Sequence, residues 1–413
     1  MIGLLFLVAF SADAASAQTQ DAFFQGDSLQ DIRLRISARD WQTLKANAGL
    51  DTYYPADLTW HGITARNIGI RSRGNTTRNG VKPGLRVDIN RYLSDQEFLG
   101  LKAFALDNAY SDASLVHESV TMKLFAKMGL RAPREAHARL FVNNEYAGVY
   151  VIVESIDRAF VGHAFGAAEA DVERGGYLFE YRWTRPYGFE DLGSSLEAYA
   201  ELFTPKTRET DSMSAVYGGI RDMVRTINDD SSVDLSATRE HLDVAEVVKY
   251  LAIEDFLGEI DGLVGEWGLH NFYLYRFRDG RPAQLIPWDK DSTFSSVDHS
   301  IDYHLDTNTL VARAMAIPEL RRIYLDTLTA CATLADEPGE SDPRGWLERE
   351  IDREIGLIST AVASDPVVPF SLEEFEAEAI RLRQFGHLRS SLVRCQVANS
   401  LDPSGIPQAC SAE

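Results

Sequence analysis

The sequence predicts an α+β protein of two lobes, a strand-rich N-terminal lobe over residues 21–155 and a mainly helical C-terminal lobe over 156–413. Three observations carry that expectation. Apolar and polar residues alternate through the first part, as they do along half-buried strands. Apolar residues at helical spacing dominate the last part. No internal repeat or long low-complexity linker interrupts the 413 residues, 45% of which are hydrophobic, enough for a large core.

Taken in order, residues 31–36, 65–71 and 85–89 alternate and read as strands, the last two separated by a polar loop around Gly74. Residues 114–128 place Leu115, Val120, Leu124 and Met128 near helical spacing, with Gly129 as the C-cap. Residues 136–142 and 149–153 flank Asn143-Asn144 and read as a β-hairpin. Residues 160–240 read as an irregular polar insertion, interrupted by Gly175-Gly176 and a short strand at 177–181. Residues 242–260 read as an amphipathic helix with Val244, Val247, Val248, Leu251 and Phe256 on or beside one face. Two short strands, 271–276 and 283–287, are joined by the Asp279-Gly280 turn. Helices over 345–363 and 372–398 complete the chain, the second opened by Ser371 with Glu374 as a capping box. Two lobes of unlike texture predict a cleft between them, where ligands bind by default.

Residues 1–20 read as a signal peptide, with an apolar run from Ile2 to Phe10 and the small residues Ala15, Ser16 and Ala17 behind it. The expected location is therefore periplasmic, cell-surface or extracellular. No other stretch reaches the ~18 consecutive apolar residues of a membrane span. The formal net charge of -21 argues against a nucleic-acid backbone as partner. Cys331, Cys395 and Cys410 form no CxxC pair, so their spacing gives no zinc site; an oxidising compartment permits one disulfide with one thiol left over.

Chemistry-bearing residues concentrate in two places. The first runs through Asp261-Gly262, His270-Asn271 and Pro287-Trp288-Asp289-Lys290-Asp291. If the two short strands pair, Asn271 and Asp289 fall at one end of the hairpin, and hard oxygen ligands gathered there suit Mg2+ or Mn2+. An acid that orients a hydroxyl, then an Asn, then a metal-binding Asp is the order used in kinase-like phosphoryl transfer. Each aspartate taken alone is as well explained by a turn. Together they are not, because two carboxylates sharing one loop with Trp288 and Phe294 repel each other without purpose. The second place is the basic loop of Arg71, Arg73, Gly74, Asn75 and Arg78, followed by Lys82 and Arg86, a positive island in an acidic chain. It reads equally as a solvated hairpin tip. Glu118 is a weaker candidate that reaches toward a phosphate-holding cation from its helix. Glu154 ends a strand where a hinge is expected, with its backbone available to a base. Aromatic residues near 181–187 suit stacking or simple packing, and His117, His270 and His304 lack metal-ligand spacing. No G-x-S-x-G, P-loop or dinucleotide-binding motif occurs.

These residues resemble the CotH kinase family. The segments that carry the resemblance are Ile70-Arg-Ser-Arg-Gly-Asn-Thr-Thr, Lys82, Leu85-Arg-Val-Asp-Ile-Asn, Asp112-Ala-Ser-Leu, Glu145-Tyr-Ala-Gly-Val-Tyr-Val-Ile-Val-Glu-Ser-Ile-Asp, Gly175-Gly-Tyr-Leu-Phe-Glu, His270-Asn-Phe-Tyr-Leu-Tyr and Pro287-Trp-Asp-Lys-Asp. They span roughly residues 30–300. The resemblance implies an atypical protein-kinase-like fold that uses ATP and Mg2+ or Mn2+ to phosphorylate Ser or Thr of secreted or surface proteins. It implies Asp261 as the catalytic acid, Asn271 and Asp289 as metal ligands with Asp291 as helper, and Arg73, Gly74, Asn75 and Thr76 as the phosphate-facing loop. A second lysine usual in the family is Asp88 here, which leaves Lys82 or Arg86 to hold phosphate. Nine residues separate Asp261 from Asn271, more than the family's usual connection. The competing expectations are a non-catalytic structural or surface-assembly protein on the same fold, and a hydrolase or transferase using the same metal site.

Overall fold

A computed structural model describes residues 18–229, 231, 233–402 and 408–410; positions 1–17 of the expected signal peptide lie outside them. After a short helix α1 (Gln20–Phe23), the first part builds β1 (Gln30–Ile36), α2 (Ala38–Ala46), β2 (Tyr54–Trp60) and β3 (Ile63–Arg73). It continues with β4 (Gly84–Asp88), β5 (Ala103–Asp107), α3 (His117–Lys127) and the hairpin β6 (Glu135–Val142) and β7 (Glu145–Glu154). Alternation along these strands sends one face inward: Ile32, Leu58, Ile68, Ile70, Val87, Phe104, Leu106, Leu140 and Ile152 are all fully buried together. The strands therefore do more than form a sheet. They close into a seven-stranded barrel in the order β1-β2-β3-β4-β5-β7-β6, sealed by parallel pairing of β6 with β1, and closure leaves no unpaired edge.

The second part begins with α4 (Arg158–Phe165), β8 (Tyr177–Tyr181), α5 (Leu196–Ala200) and β9 (Phe203–Pro205). Next come α6 (Met213–Asn228), α7 (Ser236–Arg239), α8 (Val244–Leu257), β10 (Phe272–Arg276) and β11 (Gln284–Pro287). Helices α9 (Thr309–Met315), α10 (Pro318–Ala335), α11 (Trp346–Ala363) and α12 (Leu372–Leu401) follow. A four-stranded antiparallel sheet, β11-β10-β8-β9, lies among the helices. The chain is thus mixed α+β, with a β-barrel first and a helical C-terminal part.

Two expectations are corrected here. Residues 160–240 are not irregular: α6 buries Val216, Ile220, Met223, Val224 and Ile227 along one face, opened by the Ser212 hydroxyl accepting from the Ala215 N–H. Helix α8 is not amphipathic but buried on nearly every side, acids Glu254 and Asp255 included. Other details agree with the sequence. The Ser371–Glu374 capping box opens α12, Cys395 and Cys410 form a disulfide, and Cys331 is a buried free thiol.

Two buried charges tie the C-terminal helices to the rest. Arg389 of α12 is fully buried. It donates to the Asp255 and Phe256 carbonyls at the end of α8, at 2.6 and 2.8 Å, supplying donors to carbonyls a helix leaves unmatched. Lys82, between β3 and β4, lies 3.0 Å from Asp365 just beyond α11, and both side chains are essentially inaccessible. Asp365 also accepts the Val149 N–H of β7 at 2.9 Å. Lys82→Met leaves a buried carboxylate without its counter-ion and is expected to cost about 3–5 kcal/mol. Urea unfolding followed by tryptophan fluorescence measures it, and Lys82→Met/Asp365→Leu should recover most of the loss.

Candidate functional site

Four chain segments bring polar groups to one cleft. β3 ends at Arg73 and runs into the Gly74–Thr77 loop, where Gly74 has φ +107 and a Cβ would lie 2.5 Å from the Thr77 hydroxyl. β5 ends at Asp107, α8 is followed by Asp261, and the β10–β11 hairpin presents its open end. Phe272 pairs with Pro287, so Asn271 and Asp289 flank the same end, as the sequence expected. Both take left-handed backbone angles, φ 54° and 52°, which Asn and Asp tolerate better than most residues.

The long connection between Asp261 and Asn271 does not part them. It folds back on itself, with the His270 N–H on the Gly262 carbonyl at 3.0 Å and the Leu269 N–H on the Tyr187 carbonyl at 2.8 Å. Asn271 Nδ2 then donates to Asp261 Oδ2 at 3.0 Å and to its backbone carbonyl at 3.1 Å. His270 Nδ1 lies 2.7 Å from Asp261 Oδ1. Both carboxylate oxygens of Asp261 are thereby oriented, and its N–H is held by Glu259 Oε1 at 2.7 Å.

Arg73 divides the cleft. Its Nη1 donates to Asp107 Oδ2 at 2.7 Å, and the guanidinium carbon lies 5.5 Å from the centre of the Trp288 ring. On one side is a recess of about 560 Å3 lined by Asp261, Asn271, Asp291, Tyr110, Trp183 and Trp267, with Thr76 in its wall. On the other is a recess of about 550 Å3 lined by Arg71, Arg86, Lys206, Ile156, Tyr273 and Trp288. Arg73, Gly74, Asn75 and Asp289 border both.

The first recess is short of positive charge, with Asp107, Asp261, Asp289 and Asp291 facing Arg73 and Arg182. Asp289 reaches cleft water, yet surrounding protein desolvates it. That raises its pKa, with the nearby Asp107 carboxylate adding and Arg73 opposing. Asp289 has no hydrogen-bond or ion-pair partner among the described residues. Asp291 is pushed to about 7 by burial and then by Asp289 and Asp107. Glu118 is driven well above the carboxylate range by burial, Glu135, Asp289 and further acids. Burial works against the Arg73 guanidinium, but Asp107, Asp289 and Glu118 outweigh it and hold it charged.

Of the expected site residues, Asp261, Asn271, Asp289, Asp291, Arg73, Gly74, Asn75 and Thr76 line the first recess, and Arg86 lines the second. Among the described residues Arg86 is the member of the basic island with no ion-pair partner; Arg71 and Arg78 both pair with Asp51. Two expected residues are elsewhere. Lys82 is buried against Asp365 and lines neither recess, because its ammonium is committed to the barrel–helix junction. The Glu154 backbone is used inside the barrel, pairing with Phe104 and donating its N–H to the Arg134 carbonyl at 3.0 Å, and its carboxylate is taken by Arg134 Nη2 at 2.6 Å; the recess wall is built by Ser155, Ile156 and Asp157 instead. Asp107 is not among the residues the sequence singles out, and His270, named beside Asn271, carries no assigned role there. Asp107 ends an apolar strand just as Asp289 follows one, a signal the sequence did offer; His270 becomes informative only through its contact with Asp261.

Among the described residues no three His, Cys, Asp or Glu side chains converge on a single point. The donors that do gather are hard oxygens, Asp289 chief among them because it lacks a protein partner. That set fits Mg2+ or Mn2+, which are commonly held by one or two carboxylates with phosphates and water completing the shell. Asp289, Asn271 and Asp291 line one recess and are the residues that would hold such an ion.

Comparison with known proteins bears on this geometry. A family model described as CotH kinase protein matches residues 70–393. The chain is also 24% identical over 358 residues to the inner spore coat protein H of Bacillus subtilis (strain 168), covering 84% of this chain and 91% of that protein. No helix among the described residues is long and apolar enough to cross a membrane.

The buried acid behind Asp261 allows a pH test. Burial raises Glu259 to about 8, while an unfolded glutamate titrates near ~4.3. Between those values the unfolded chain has lost a proton that the folded chain keeps, so stability falls as pH rises through the window and levels off above it. Glu259→Gln removes the titration and retains an acceptor for the Asp261 N–H. It is expected to exceed the parent by a few kcal/mol at pH 8.5, on the order of 1.4 kcal/mol per pKa unit, with the advantage vanishing toward pH 4 in denaturant melts.

Proposed function

The chain belongs to the CotH kinase family, and from that membership we propose that it transfers the γ-phosphate of ATP to serine or threonine hydroxyls of exported or surface proteins. The observation that carries this reading is Asp289, unpartnered and bordering both recesses. Asp261 and Asn271 stand on one side of it and Arg86 and Trp288 on the other. Phosphoryl transfer asks a protein for alignment and charge neutralisation more than covalent chemistry. Asp289 and Asn271, with Asp291 in support, would hold a divalent ion, which would supply the charge neutralisation.

The difference between the recesses supports a reading of their occupants. The second combines cations with the aromatic faces of Trp288 and Tyr273, which suits a purine nucleotide. The first holds Asp261, whose carboxylate is oriented by His270 and Asn271 to accept the proton of an incoming hydroxyl. Arg73 lies between them, where charge on the transferring group develops. The non-catalytic alternative draws on the relative's name, a spore coat protein, and predicts the same fold without turnover.

Incubation of the chain with Mn2+ or Mg2+ and radiolabelled ATP tests the reading. Label should pass to protein, and Asp289→Ala should reduce the rate by about a hundredfold or more, near 3 kcal/mol of transition-state stabilisation. Failure of the parent chain to bind nucleotide by calorimetry would sink the kinase reading and favour a structural role.

A further inference from the structure

Lys290 stands in sequence between Asp289 and Asp291, yet its side chain is fully buried and turned from the cleft. Its Nζ lies 2.7 Å from Glu254 Oε1 and 5.7 Å from the centre of the Tyr250 ring. Glu254 belongs to the last turn of α8, and its other oxygen accepts the Leu263 N–H at 2.9 Å. Four residues beyond α8's Asp255, Glu259 accepts the Asp261 N–H at 2.7 Å. The amides on both sides of Gly262 are therefore gripped by buried acids. Gly262 itself has no room for a side chain, since a Cβ would overlap the Glu254 carboxylate. On the other side, the Lys290 carbonyl accepts the Thr293 hydroxyl at 2.9 Å, and Thr293 lies 3.0 Å from Thr121 of α3.

A surface ion pair tolerates drift, because water replaces either partner. A buried pair does not, because separation leaves two uncompensated charges in the interior. The pair therefore acts as a rigid strut beneath the cleft.

We infer that Lys290 is a positioning residue which, through Glu254, fixes the Asp261–Leu263 turn against the Asp289–Asp291 loop and so sets the spacing between the acid facing the acceptor and the acids facing the metal. The inference rests on the phosphotransfer reading above. It assigns Lys290 no contact with ATP or acceptor.

The full chain is compared with Lys290→Met, with the apolar pair Lys290→Met/Glu254→Leu, and with Gly262→Ala, which displaces the turn without changing any charge. The readouts are binding of Mn2+ with a non-hydrolysable ATP analogue, kcat and KM for ATP, and hydrogen exchange of the peptide containing Asp261–Leu263. All variants that fold should bind the analogue within about threefold of the parent, lose tenfold or more in kcat at unchanged KM, and exchange these amides at least tenfold faster. Parent kcat in a folded Gly262→Ala or double variant would overturn the inference while leaving the kinase reading intact. If the lysine variants do not fold, Gly262→Ala decides alone. A parent chain that neither binds the analogue nor transfers phosphate would overturn both.

Discussion

Carboxylates that are to face a cation must be gathered, and gathered carboxylates repel. This constraint shapes the cleft. Burial raises the pKa values of Glu118, Asp289 and Asp291, and the Asp107 carboxylate adds to each, across a space in which Arg73 is the central protein cation. Arg73 is itself bound to Asp107, so it neutralises less than one charge for the rest. The arrangement is costly for the folded chain alone, and under the proposed function a divalent ion and phosphates would offset that cost. The site rests on the closed barrel on one side and on buried α8 with its acids on the other.

Much of the cleft was legible from sequence because its residues sit where strands end. Asn271 and Asp289 flank two short strands whose pairing a reader can guess from the Asp279-Gly280 turn, and the register then puts them together. The Arg73–Thr76 loop is marked by its glycine between two alternating segments. What remained hidden depends on partners far away in the chain. Lys82 looks like a phosphate ligand until Asp365, 283 residues later, is placed against it. Barrel closure rests on a parallel pairing of β6 with β1 that leaves no local signature. The spacing of Asp261 and Asn271 seemed too long only because residues 262–270 form a closed loop, held by Tyr187 from another segment. Helix α6 is a different case. Its apolar residues do recur at helical spacing, and the surrounding polar sequence masked them.

The C-terminal helices, which carry little chemistry of their own, are the scaffold of the site. Arg389 of α12 closes the end of α8 just before Asp261. Glu378 of α12 lies 2.9 Å from His117 Nε2, whose other ring nitrogen is 2.8 Å from the Asp291 carbonyl.

The Lys82–Asp365 contact has a consequence for how the molecule is divided. By architecture the chain splits near residue 155 into a barrel and a helical part, and a scissors-and-paste view would treat each as portable. The charge ledger forbids it. Severed there, the barrel keeps a lysine whose partner has gone, and the helical part keeps the matching aspartate, each in a surface built to exclude water. Neither fragment inherits a complete interior. Any portable unit that keeps this interior has to contain both residues, and an exchange between relatives would have to move them together.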